Sequence, residues 1–163
     1  VPSRDFREER CTDKHVGPRE MALSLADIHK LEVAETYPNA IDQLEKRIAE
    51  GYTDSETVIR LGFNLWYAVA EESRLKLPIP SEAYRSRFVG LWQDYQSRLN
   101  DDPDFCWAFG LGVSLFAHEF DSISEAEGDE LLARAAQLDP FYRGQFHSAD
   151  LLVRFTGRGI FES

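Results

Sequence analysis

The chain has 163 residues, of which 43% are hydrophobic and 12% aromatic, and its formal net charge is −11. These values exclude an intrinsically disordered chain and predict one globular domain with its own core. The negative charge disfavours nucleic-acid binding, because acidic surfaces repel phosphate backbones. No membrane span is expected, since the longest uncharged apolar stretch, residues 105–117, falls short of the ~18 residues that a span requires.

Residues 1–20 (VPSRDFREERCTDKHVGPRE) differ from the rest, with two prolines and no apolar periodicity. We expect a flexible leader there, either a natural extension or a segment added by cloning, with the natural start near Met21. Residues 21–163 are expected to form a single α-helical domain. The charged start lacks the apolar segment of a signal peptide, and Cys11 and Cys106 lie in unrelated contexts. These features predict no structural disulfide and a reducing, cytoplasmic location.

Helical periodicity of apolar residues runs through the remaining chain, and no segment shows the alternation of a strand. Ser24 is a candidate cap for the first helix. Thr53 with Glu56, and Ser124 with Glu127, have the spacing of a capping box. Seven helices are predicted, in chain order, at 23–35, 38–51, 53–69, 81–99, 105–116, 124–138 and 146–155. Because short loops favour antiparallel neighbours, the predicted class is all-α, with about seven antiparallel helices in a short solenoid or bundle.

Two stretches share a pattern of Leu-Gly, two residues, Leu and an aromatic: RLGFNLWYAV at 60–69 and AFGLGVSLFA at 108–117. Together with ELLARAAQLDP at 130–140, the second stretch resembles a tetratricopeptide repeat, in which a Leu-Gly helix pairs with an Ala- and Leu-bearing helix that ends in Asp-Pro. The resemblance covers about residues 38–140. It departs from the family in its spacing, since the Leu-Gly pairs are 50 residues apart against ~34 in a regular array. A generic helical bundle is the alternative.

The resemblance implies that the Leu-Gly helices line a concave, apolar and aromatic binding surface. Such a surface suits an amphipathic helix or an extended apolar segment of a partner protein. It lacks the basic and asparagine residues with which chaperone-binding members grip a terminal carboxylate. The alternative is that the chain's own seventh helix and C-terminal tail cover it. The implied groove residues are Ile59, Phe63, Trp66, Tyr67, Phe109, Val113 and Phe116.

A second candidate site is acidic. Residues 101–139 contain ten carboxylates and only one basic residue, Arg134. Such a surface favours a basic partner, although acidic surfaces also serve solubility. An immunity-type inhibitor that neutralises a basic toxin domain in a bacterial cytosol is therefore one alternative function. The predicted acidic surface comprises Asp101, Asp102, Asp104, Glu119, Asp121, Glu125, Glu127, Asp129 and Glu130.

No motif for metal, cofactor or catalysis is recognised. His118 has no second histidine four residues on, and the acidic segment 121–130 has Ala126 where a calcium loop needs glycine. Cys106 lies in an apolar run, as a core residue does. An enzyme would need clustered polar groups that converge in a cleft, for example His118, Glu119 and Arg60.

The preferred hypothesis is a non-enzymatic interaction module, an adaptor or inhibitor without metal or cofactor, whose partner is another protein, neither nucleic acid nor membrane. A further alternative is a regulatory domain that encloses a small apolar molecule between Trp66, Tyr67, Phe109 and Phe116.

Overall fold

The computed structural model describes residues 21–143, and within that range every regular element is helical. The predicted all-α class is therefore confirmed, although the described residues form six α-helices rather than seven. The predicted leader at 1–20 and the predicted helix at 146–155 lie outside the described residues. The helices are α1 (Leu25–Val33), α2 (Tyr37–Ala49), α3 (Ser55–Ala70), α4 (Ser81–Tyr95), α5 (Pro103–Phe116) and α6 (Glu125–Leu138). Short 3₁₀ turns follow α5 at Ala117–Glu119 and α6 at Pro140–Tyr142.

Most helix starts follow local capping signals. Ser24 caps α1, and Ser124 and Glu127 form the predicted capping box of α6. The capping box predicted for the third helix is wrong, because the carboxylate of Asp54, not the Thr53 hydroxyl, accepts the Thr57 N–H at 2.9 Å. A carboxylate placed there also faces the positive end of the helix dipole.

The end of α4 also differs from the prediction. Apolar periodicity extends the predicted fourth helix to residue 99, but α4 ends at Tyr95. The N–H groups of Arg98 and Leu99 both donate to the Tyr95 carbonyl. The chain therefore closes into a turn, and Leu99 packs against the core from outside the helix.

Consecutive helices run antiparallel, as the short loops predict. At the hairpin of α5 and α6, Ser114 near the end of α5 donates to Asp129 at 2.8 Å, while Tyr142 beyond α6 donates to Asp104 at the start of α5. Contacts that join opposite ends of neighbouring helices also occur for α1 with α2, α2 with α3, and α4 with α5. Helices α3 and α5 run in the same direction, because Gly62 lies against Phe109 and, further along both helices, Trp66 lies against Gly112.

The glycines of the two Leu-Gly pairs lie where α3 meets α5. A Cβ added at Gly62 would overlap the ring of Phe109, and one added at Gly112 would lie 3.8 Å from the Trp66 indole. Each helix therefore presents an aromatic ring to the glycine of the other. Because a side chain at Gly62 has no room, the distance between α3 and α5 depends on this glycine.

A second close approach joins α5 to α6, and it does not use the Leu-Gly glycine. The resemblance to tetratricopeptide repeats implies that Gly112 faces the partner helix, whereas Gly110 and Gly128 make that contact. A Cβ at Gly128 would lie 2.5 Å from the backbone nitrogen of Ser114, and one at Gly110 would lie 3.0 Å from the Gly128 oxygen. The two backbones are thus in contact with no side chain between them.

Replacement of Gly128 by alanine tests the close approach of α5 and α6. The new methyl group would meet backbone atoms of α5, which cannot rotate away. We expect Gly128→Ala to lower the free energy of unfolding by about 1–3 kcal/mol, despite the ~1 kcal/mol that alanine contributes to helix propensity. Urea denaturation followed by circular dichroism measures the change.

Gly90→Ala is the matched control, because a Cβ at this position in α4 has no atom within 4 Å. There the propensity effect acts alone, so stability should rise by up to about 1 kcal/mol. Equal effects of the two substitutions would contradict the packing assigned to Gly128.

Candidate partner-binding site

A groove runs between α3 and α5 and contains a small apolar cavity of about 20 Å³. This volume holds about one water molecule. Carbon atoms of the two helices surround it, together with one ring from α4. The lining residues are Ile59, Gly62, Phe63, Trp66, Phe88, Trp107, Ala108, Phe109, Leu111 and Gly112.

The seven predicted groove residues fall into two layers. Ile59, Phe109 and Val113 are buried, with at most 2% of each residue exposed. They form the floor of the groove and belong to the core. Phe63, Trp66, Tyr67 and Phe116 are only partly buried among the described residues.

The four partly buried rings form a continuous cluster, which we call the aromatic face (Phe63, Trp66, Tyr67 and Phe116). The Trp66 ring centroid lies 5.3 Å from that of Phe63 and 5.0 Å from that of Phe116, both edge to face. Tyr67 stacks on Phe63 at 5.7 Å. These separations lie within the 4.5–7 Å range of favourable ring pairs, so the face is preorganised.

The indole nitrogen of Trp66 has no hydrogen-bond acceptor among the described residues, although the atom is shielded from solvent. Trp66 lines the apolar cavity, and its nitrogen lies near Gly112. An unsatisfied buried donor costs about 1–3 kcal/mol. A polar group that lacks a partner beside an open aromatic surface is therefore a candidate contact for a ligand.

Sequence reasoning missed Trp107, Ala108 and Leu111 on the same side of α5. Leu111 follows Ala108 by three residues and Trp107 by four, and each of these intervals places two residues on the same side of a helix. That periodicity was available in the sequence. The repeat resemblance selected other positions of this helix, so Trp107 was not included.

One end of the aromatic face is surrounded by charged groups. Arg74 donates to the Tyr67 hydroxyl at 2.9 Å and to the carboxylates of Glu35 and Glu71 at 3.0 Å each. The hydrogen bonds that Arg74 donates to Glu71 and Glu35 raise the pKa of Arg74 above its usual value. The guanidinium therefore stays charged and holds the Tyr67 hydroxyl from one side.

Arg85 is the second cation at this end. It donates to Glu119 at 2.6 and 3.0 Å and to Glu82 at 3.3 Å, and Glu72 lies 4.0 Å away. Burial lowers the pKa of Arg85, but the hydrogen bonds to Glu82 and Glu119 outweigh this and raise it. Phe116 reaches the same network through His118, whose ring centroid lies 6.1 Å from that of Phe116.

The nine predicted acidic residues do not form one uniform surface. Asp101, Asp102 and Asp104 lie at the start of α5, whereas Asp129 contacts Ser114 near its end, about 15 Å further along the helix. Six of the nine accept hydrogen bonds within the described residues: Asp101, Asp102, Asp104, Glu119, Glu127 and Asp129.

Two of the polar residues considered for a catalytic cluster pair with different partners. Arg60 is buried and forms ion pairs with the buried Glu32 and with Glu56, whereas Glu119 pairs with Arg85. Asn64 donates to Glu32 at 2.9 Å and completes a buried polar cluster that links α1 to α3. Arg60 therefore contributes to packing. Within residues 21–143, no three His, Cys, Asp or Glu side chains gather as metal ligands.

A scan against protein-family models and searches of curated proteins and of solved structures find no match to this chain. No helix within residues 21–143 combines the length and apolar character needed to cross a membrane. The functional assignment therefore rests on the geometry of the residues described above.

Trp66→Phe tests whether the indole N–H contributes to stability. This donor makes no hydrogen bond among the described residues. Its removal therefore relieves the cost of an unsatisfied buried group, and this gain offsets the free energy lost with the smaller packing area. We expect the free energy of unfolding to change by less than about 1 kcal/mol. Trp92→Phe is the control, since Trp92 is 4% exposed and packs in the core. A larger decrease in the free energy of unfolding for Trp66→Phe than for Trp92→Phe, measured by urea denaturation, would contradict the expectation that the Trp66 donor makes no stabilising hydrogen bond.

The thiol of Cys106 should be unreactive in the folded protein. Burial raises its pKa to about 11, so at pH 8 roughly one molecule in a thousand carries the nucleophilic thiolate. In a Cys11→Ser variant, we expect iodoacetamide at pH 8 to alkylate Cys106 at least ~100-fold faster in 6 M guanidinium than in buffer. Similar rates in both conditions would show that Cys106 is accessible and ionised.

Proposed function

We propose that this protein is a non-enzymatic interaction module that binds a segment of another protein on the aromatic face. One observation carries the proposal: four contiguous, partly exposed rings surround an indole N–H that lacks an acceptor among the described residues. Tyrosine and tryptophan are enriched in protein interfaces, where large rigid rings contribute area at low entropic cost. If the indole turned outward on binding, a partner carbonyl would accept from the shielded nitrogen of Trp66 and remove the cost of the unsatisfied donor.

The helix arrangement supports a tetratricopeptide-like solenoid as the scaffold. Helices α3 and α5 would be the first helices of two units, and α4 and α6 the second helices. In such a solenoid the first helices line the concave side. The parallel course of α3 and α5 and the rings that they share agree with this placement.

The size of the cavity favours a protein partner over a small apolar molecule. Pockets for drug-sized ligands typically measure about 300–1,000 Å³, whereas the cavity beside Trp66 measures about 20 Å³. The aromatic rings therefore suit contact with the surface of a partner better than enclosure of a small molecule.

An acidic inhibitor of a basic protein domain is the second candidate function. The observation in its favour is that Asp121, Glu125 and Glu130 are exposed and make no ion pair within residues 21–143. Three free carboxylates form a smaller surface than the nine that the sequence predicts. We therefore rank this function below binding on the aromatic face.

Affinity capture from the source cells tests the proposed function. The full chain is immobilised, and captured proteins are identified by mass spectrometry at 50 and 500 mM NaCl. We expect Trp66→Phe and Phe116→Ala each to reduce capture of the specific partner at least ~10-fold, because interface aromatics typically contribute more than 1 kcal/mol. Variants that keep the wild-type denaturation midpoint are compared.

Leu115→Ala provides the matched control, because Leu115 is the neighbour of Phe116 on α5 and 44% exposed but lies outside the aromatic face. Its capture should equal that of the wild type. A partner lost equally in all three variants, or in none, would overturn the assignment to the aromatic face. A partner lost only when Glu125 and Glu130 become glutamine would instead support the acidic inhibitor.

A further inference from the structure

We infer that the segment bound on the aromatic face is an extended apolar strand of the partner that carries Lys or Arg beside it. This inference rests on the proposed function and adds the chemistry of the ligand. It is drawn from the charges at the Tyr67 and Phe116 end of the face and from the unsatisfied donor of Trp66.

The charges at this end belong to a set that we call the acidic rim: Glu35, Glu71, Glu72, Glu82 and Glu119. Three of the five connections between the helices contribute to it, and Glu82 lies at the start of α4. The rim adjoins the aromatic face on two sides. On one side Arg74 joins Tyr67 to Glu35 and Glu71. On the other, His118 lies between Phe116 and Glu119, with its Nε2 3.5 Å from the Glu119 carboxylate.

The rim carries more negative charge than its cations compensate. Its five carboxylates share two guanidinium groups, those of Arg74 and Arg85. An excess of three negative charges remains within these ion pairs. Because each arginine is already shared between two or three carboxylates, an incoming cation gains favourable contacts and breaks none. Charge complementarity of this kind selects partners and speeds association.

The unsatisfied donor of Trp66 favours an extended ligand over a helical one. Carbonyl groups inside an α-helix already accept hydrogen bonds from the helix itself, whereas an extended chain presents unpaired carbonyls. Extended proline-rich segments are known to dock on aromatic-lined grooves. Because the Trp66 nitrogen is shielded, the indole has to turn outward before a carbonyl of such a segment can accept from it. The apolar side chains of the segment would cover Phe63 and Phe116.

The probes are two fluorescein-labelled peptides with four Leu-Pro repeats, flanked at each end by two Lys or by two Glu. Proline keeps both peptides extended, and they differ only in charge. Fluorescence anisotropy measures their binding to the full chain at 50 and 300 mM NaCl. We expect the Lys peptide to bind at least ~10-fold more tightly at 50 mM, with a smaller difference at 300 mM because salt screens the charges.

Two double variants separate the rim from the net charge. Glu72→Gln with Glu119→Gln removes two rim charges, while Glu125→Gln with Glu130→Gln removes two charges elsewhere. We expect the first pair of substitutions to weaken binding of the Lys peptide at least ~3-fold more than the second pair does. Phe116→Ala should weaken the binding of both peptides. Trp66→Phe should also weaken their binding, without lowering the free energy of unfolding of the protein.

Equal affinity of the Lys and Glu peptides would overturn the inference, as would equal effects of the two double variants. The proposed function fails separately. If capture of the cellular partner requires Phe116 but the Lys peptide does not compete with it, binding on the face stands and the ligand chemistry is wrong. If the Lys peptide behaves as expected but cellular capture ignores Phe116, the inferred ligand preference stands and the proposed function is wrong.

Discussion

The exchange of aromatic rings and glycines between α3 and α5 positions the rest of the site. Gly62 gives room to Phe109, and Gly112 lies against Trp66. Phe109 in turn stacks on Phe88 and Phe105 at 5.5 and 4.4 Å, so one ring connects the α3–α5 contact to α4 and to the core. The same exchange fixes Trp66, whose indole faces the groove. The position of Trp66 in the aromatic face therefore follows from how the two helices are spaced.

Local signals predicted the helices well because the interactions that define them are local. Ser24 and the pair Ser124 and Glu127 cap helices through bonds to residues three positions away, and the sequence contains both partners. The prediction failed where two local signals compete. Thr53 and Asp54 are both acceptable caps, and the backbone path into α3 selects Asp54. Similarly, the resemblance to tetratricopeptide repeats implies that Gly112 makes the α5–α6 contact, whereas the crossing of the two helices selects Gly110 and Gly128.

The binding site was harder to predict because exposure depends on neighbours that are distant in sequence. The resemblance to tetratricopeptide repeats selected the seven groove positions on α3 and α5. It did not distinguish the floor from the surface, because Phe109 is buried by rings of α4 such as Phe88 and Trp92. Periodicity also could not show that the indole nitrogen of Trp66 lacks a hydrogen-bond acceptor. Only the arrangement of three helices reveals that its nitrogen is shielded and lacks an acceptor among the described residues.

The charged groups beside the aromatic face were also hard to predict, because they are close in space and distant in sequence. The linear density of carboxylates peaks in residues 101–139, but much of that charge serves the fold: Asp102 caps α5, and Asp104 accepts from the Tyr142 hydroxyl. The rim beside the aromatic face instead combines Glu119 from that region with carboxylates such as Glu35 and Glu71, which lie 84 and 48 residues earlier. A count along the chain cannot detect such a group. The excess of carboxylates over cations beside partly buried rings is a property of the three-dimensional arrangement, and the proposal of a basic, apolar ligand depends on it.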